Sequence, residues 1–115
     1  MDVQIFGTPQ SSATRKATRF FKQRRIQTHV VDLRKRAASP RELERFAQKF
    51  GVQALIDSEA KRFRELGLNT AHYSDEHWLD LLAREPMLLR QPLVRQGDRL
   101  TIGDAEAEWR DWTAR

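Results

Sequence analysis

The sequence contains no cysteine, so disulfides, thiolate metal sites and any thiol nucleophile supplied by this chain are excluded at the outset. It has no run approaching about eighteen consecutive apolar residues, so no membrane-spanning helix is expected. The opening Met-Asp-Val-Gln-Ile-Phe leads straight into a strand-like segment, without the basic, apolar and small-residue regions of a secretory signal, and a cytoplasmic location is expected. No repeat, low-complexity tract or Gly/Ser linker breaks the order of elements. What is there is a chain of 115 residues, 39% apolar and 32% charged. That is the size of one ordinary domain, able to bury a core without staples.

The net charge of +5 is unevenly spread: residues 1–36 carry nine Lys or Arg against two acids, and the rest carries twelve against fourteen. A basic front third suggests an anionic partner, whether nucleic acid, an acidic protein face or a small anion. A solvated helix face plus a basic loop is the plainer alternative.

Val3 to Phe6, bounded by Gly7 and Pro9, predicts a short strand. Ser11 or Ser12 then caps a helix to about Arg25, with Ala13, Ala17, Phe20 and Phe21 on one face and Arg15, Arg19 and Lys22 toward water. Thr28 to Leu33 predicts a second strand, parallel to the first through a right-handed crossover. Ser39, Pro40 and Glu42 form a capping box for a helix ending at Gly51. Short helical pieces follow, with Gly67 a stop signal, and Ser74 caps a helix that buries Trp78, Leu81 and Leu82 before Pro86. The segments "QPLVR" and "LTI" around "QGD" predict an antiparallel hairpin. A last helix is expected from Gly103 and Asp104, with Trp109 and Trp112 packing on the sheet.

The order strand, helix, strand, helical block, hairpin, helix resembles the thioredoxin-like fold of the family of ArsC arsenate reductases, YffB-like reductases and Spx regulators, across nearly the whole chain. The residues that carry the resemblance are "IFGTPQSSATRKATRFFKQRRI", similar to the family's opening strand, active-site loop and helix; "VVDLRKRAASPREL", similar to its second strand and linker; and "LLRQPLVRQGDRLTIG", similar to its proline hairpin. The resemblance implies an α/β fold with a four-stranded mixed sheet, flanking helices and a helical insert, in one domain. Residues 1–36 and 90–115 would form the thioredoxin-like part and 37–89 the mostly helical insert.

By the same resemblance, Ser11 stands where the family keeps its catalytic cysteine and Thr14 where some members keep a second. A helix N-terminus favours a thiolate there, whereas a serine hydroxyl stays protonated in the same field. A serine nucleophile needs a base, and no histidine is near it in sequence. His29 reads as a partly buried strand residue, and His72 and His77, five apart, lack the three or four spacing of a helical metal pair; no metal site is assigned. The arginines of ArsC enzymes match Asp57, Gln91 and Ile102 here, and a basic pair of the YffB and Spx type matches Glu59 and Lys61, of which only Lys61 is basic. Pro92 matches the proline that faces the active-site loop, often through a cis bond; it also suits the first residue of an edge strand.

The leading expectation is a redox-silent member that acts by binding. Ser11, Ser12, Thr14, Arg15, Lys61, Gln91 and Pro92 are the candidate anion- or thiol-binding residues, with the alternative that Ser11 is simply a helix cap. Arg19, Lys22, Arg34 and Arg36 are the candidate basic face for an acidic protein, for which Spx action on RNA polymerase is the family precedent. The alternative is an enzyme of the arsenate reductase type, either borrowing its sulfur from glutathione or carrying a native cysteine at position 11 that serine has replaced. No other cofactor is expected. Nucleic-acid binding rests on charge alone, since Phe20 and Phe21 read as core and not as stacking platforms. Oligomeric state stays open.

Overall fold

The computed structural model describes residues 2–114. Two compact units are distinguished, one built from residues up to Asp32 and from Gln91 onward, the other from Leu33–Arg90. The first unit thus ends its front part four residues earlier than the sequence reading places it, at the last residue of a strand.

In the first unit, strand β1 (Asp2–Gly7), helix α1 (Ser12–Gln23) and strand β2 (Gln27–Asp32) form the parallel crossover, with Asp2 opposite Gln27 and Gly7 opposite Asp32. Strands β3 (Leu93–Gln96) and β4 (Arg99–Ile102) make the antiparallel hairpin, with Gly97 at φ 61° in its turn. β3 pairs antiparallel with β1, giving a four-stranded mixed sheet in the order β2-β1-β3-β4. Alternation along β1 sends Val3 and Ile5 to one face, where they are sealed with Ala17, Phe20, Phe21, Val94 and Trp109. Trp109 lies 5.7 Å from both phenylalanine rings, and its buried indole N–H donates to Thr101 Oγ1 at 2.8 Å. Trp112 packs on the rim of this core.

The start of α1 is as expected and its end is not. Its N-cap is Ser11, and it stops at Gln23 because Arg25 turns left-handed at φ 59°. There the Arg25 N–H donates to Lys22 O and the Ile26 N–H to Phe21 O, the pattern of a Schellman closure with Ile26 folded back on the core. The last helix, α5 (Glu106–Thr113), begins two residues later than expected. The Asp104 carboxylate takes the Lys16 ammonium at 2.8 Å as well as a hydrogen bond from the Glu106 backbone, and Gly103, at φ 75°, gives its N–H to Pro92 O.

The second unit holds α2 (Pro40–Phe50), α3 (Lys61–Glu65) and α4 (Asp75–Arg84), joined by single 3₁₀ turns. Ser39 Oγ accepts from the Glu42 N–H and Ser74 Oγ from the His77 N–H, each at 3.1 Å, so both expected caps form. In α4, Trp78 and Leu82 are buried while Leu81 is only half-buried, narrower than the expected apolar side. The helical piece expected after Gly51 forms as the 3₁₀ turn Val52–Leu55, after which Ile56 makes a single bridge with Leu89, and Arg62 grips Glu85 with two hydrogen bonds at 2.7 and 3.1 Å. That fork holds the Glu85 carboxyl below its ordinary range. Among the described residues no helix is long and apolar enough to cross a membrane.

Candidate functional site

The residues between β1 and α1 fold back on themselves. The Ser11 N–H donates to Thr8 O at 3.1 Å, and Ser11 Oγ accepts the Thr14 N–H at 3.1 Å, satisfying one of the donors a helix start leaves open. Arg15 reaches back to give a guanidinium hydrogen to Pro9 O at 2.6 Å. Thr8 is almost wholly buried, and both its N–H and its hydroxyl donate to Gln91 Oε1, at 2.8 and 3.0 Å. Gln91 leads by a cis peptide bond into buried Pro92, whose carbonyl accepts from Gly103. Pro92 therefore immediately precedes β3, an interior strand, which corrects the edge-strand alternative: its missing N–H lies just before the ladder begins.

Thr14 is 3% exposed, and its Oγ1 has no hydrogen-bond partner among the described residues. It sits against Gly7 so closely that a Cβ at residue 7 would come within 2.3 Å of that oxygen. Ser12 is exposed on the first turn of α1. Behind it, Lys16 bridges to Asp104 and Glu106; the hydrogen bond it donates to Asp104 raises the lysine, and the same bond holds Asp104 below the usual carboxylate range.

His29 is exposed, not partly buried, because β2 is an outer strand. Its Nε2 lies 3.3 Å from Asp2 Oδ2, at the end of β1 opposite the loop. It pairs with Gln4, three residues back from Gly7, or about 10 Å along a strand rising about 3.3 Å per residue. His72 and His77 are exposed in the second unit, where the His77 ring stacks on Tyr73 at 4.2 Å. Lys61 opens α3 there, and Arg34 and Arg36 lie exposed on the connection before Ser39. Asp57 caps its own turn by accepting the Glu59 N–H at 3.0 Å.

A feature that residue patterns did not announce lies on the flank of α1. Thr14, Thr18 and Val30 line a hollow of about 440 Å³ whose rim carries Arg15, Arg19 and Lys22. Arg19 and Lys22, two of the four expected basic-face residues, are thereby brought to one place.

The family model of the ArsC family matches residues 6–112. The chain belongs to the ArsC family. Among its relatives, protein YusI of Bacillus subtilis is 24% identical over 96% of this chain and 98% of its own length. The global transcriptional regulator Spx 2 of Oceanobacillus iheyensis is 29% identical over 100% of this chain and 86% of its own length. Among solved structures, an arsenate reductase from Vibrio cholerae superposes with a TM-score of 0.81 at 24% identity, covering 94% of each chain. The thioredoxin-like fold is that of this ArsC family, kept in a member with no cysteine anywhere in its sequence.

Proposed function

We propose that this ArsC-family protein works by binding an acidic protein partner and performs no thiol chemistry of its own. The observation that carries the reading is the state of Ser11: an alcohol stands at the helix N-terminus, and its oxygen is engaged as the acceptor of the Thr14 N–H. An alcohol has no thiolate to attack arsenate or a disulfide with, and His29 is turned to the far end of β1. The neighbouring groups of the loop are spent in the same way, Thr8 on Gln91 and Arg15 on Pro9. Family membership alongside regulators named Spx supports a partner-binding role, with transcription machinery as a candidate target. Oppositely charged surfaces speed encounter and select partners, and the flank of α1 supplies the positive side.

Two measurements test this. Reversal of Arg19, Lys22, Arg34 and Arg36 to Glu is expected to weaken capture of a cognate acidic protein, and unchanged capture removes the basic face from the reading. Heating the full chain with millimolar glutathione is expected to leave Tm unchanged. A ligand at about a hundred times its Kd adds roughly 2.7 kcal/mol, so a rise of that size reinstates the external-thiol alternative, in which Arg15, Lys61 and the loop amides would orient the glutathione.

A further inference from the structure

Ile5 and Val30 are cross-strand partners in the parallel pair β1 and β2 and so project to the same face of the sheet. Ile5 is fully buried within the core that α1 and α5 cover, yet Val30 is 45% exposed. The cover ends between two adjacent strands. What it leaves is the hollow beside α1, with Val30 and Thr18 in its lining, Arg19 and Lys22 on its rim and Asp32 its only acid. The side chains of Arg19 and Lys22 make no hydrogen bond or ion pair among the described residues, whereas those of Lys16 and Arg15 on the same helix are engaged. No strand of the sheet flanks β2 on its outer side, and an outer strand presents unpaired N–H and C=O groups from alternate residues.

We infer that the outer edge of β2 and this hollow receive an extended, acidic segment of a partner protein. The segment adds as a strand along Gln27–Asp32, seats one apolar side chain over Val30, and sets its carboxylates against Arg19 and Lys22. Strand addition of this kind takes its affinity from main-chain hydrogen bonds and its specificity from pockets for alternate side chains, and both elements are present here. The inference rests on the binding reading above and specifies its mode. A second copy of this chain is the other occupant an open edge invites, but it would bring a further Arg19 and Lys22 to the same groove, and like charges there oppose pairing.

The test selects a random-sequence displayed peptide library on the full chain. The enriched peptides are then resynthesised with N-methyl groups on alternate residues, in one register or the other. Acidic peptides with a single central apolar residue are expected. One N-methyl register is expected to lose about tenfold or more in affinity while the other binds, and Val30→Lys to lose about as much, with backbone amide shifts confined to Gln27–Asp32 and the facing side of α1. Acidic peptides that weaken with Arg19→Glu and Lys22→Glu but ignore both N-methyl registers and Val30→Lys overturn strand addition and leave the acidic-partner reading standing. No acidic enrichment, with binding indifferent to Arg19→Glu and Lys22→Glu, overturns both. A dimer in sedimentation equilibrium that Val30→Lys dissolves gives the edge to a second copy and overturns the acidic segment as its occupant.

Discussion

The N-terminal loop of α1 and the flank of the same helix are built on opposite terms. In the loop, the polar groups of Ser11, Thr8 and Arg15 are bonded to other parts of the loop or to Gln91. On the flank, a valine stands half in water and two cations have no partner among the described residues. The loop's bonds serve its own shape. The flank spends nothing on shape and leaves its apolar and cationic groups available. Substitutions in the loop should therefore register as changes in stability, and substitutions on the flank as changes in binding.

The hardest blow to the loop is expected from Gly7→Ala. The new Cβ would meet Thr14 Oγ1 at 2.3 Å and Cγ2 at 2.7 Å, inside a buried strand-to-helix contact with no room to yield. Overpacking of that kind costs about 3 kcal/mol, read as a lowered urea midpoint at unchanged slope. Because the clash is with one side chain, Thr14→Ala in the same molecule is expected to recover a good part of the loss, so the two changes are non-additive. A Gly7→Ala protein as stable as the parent would show that β1 and α1 are not locked together at the loop.

Thr14→Val is expected to act in the other direction. The hydroxyl is buried with no partner among the described residues, so replacing it by a methyl of similar shape removes a desolvated polar group and is worth about 1 kcal/mol of added stability. Thermal or urea unfolding measures it. A loss instead of a gain would mean that the hydroxyl is held by a partner such as a bound water.

Ser11→Ala deletes the cap and is expected to cost about 1 kcal/mol, with binding of any flank partner unchanged. A variant that kept its stability but lost a partner would reverse the comparison, making the loop the functional surface and the cap incidental.

How much of this was legible in the residues depends on the span of the interaction. Ser11, Ser39 and Ser74 cap helices through bonds to residues three positions on, and such short-range chemistry is written in residue type and spacing. The start of α5 differs from the expected one where Asp104 is shared between the Glu106 backbone and Lys16, the latter 88 residues away in sequence. Gln91 reads as a lost arginine, and only the fold shows its oxygen holding Thr8, 83 residues away. The alternation of β2 carries no mark of its outer position, since strand order is a property of the assembled sheet. Hence His29 was read as partly buried and the hollow over Val30 went unseen. The end of α1 was missed for a different reason: Arg25 adopts a left-handed conformation that its residue type does not announce.

That last position gives a smaller test at the other end of α1. Arg25→Gly relieves a side chain at φ 59° without disturbing the backbone hydrogen bonds of the closure. It is expected to add roughly 0.5–1 kcal/mol, the left-handed penalty less the entropy glycine costs in the unfolded chain. Unfolding midpoints check it, and a loss would mean that the arginine side chain contributes more than its backbone costs.

The smallest expected effect on stability is on the flank, and its smallness is what makes it decisive. Arg19 and Lys22 are exposed and unpartnered among the described residues, so the double change Arg19→Glu, Lys22→Glu should alter the unfolding free energy by no more than about 0.5 kcal/mol, as exposed positions away from caps and cores do. Lys22 lies in the last turn of α1, where a cation is favoured and an anion is not by a few tenths of a kcal/mol, so the residual effect should be a slight loss. A large loss would show that these cations hold the fold together, and charge reversal could then no longer separate a binding surface from a structural one. A change within the stated bound leaves two cations on a groove that the protein's own stability does not require, and their use has to be sought in what approaches from outside.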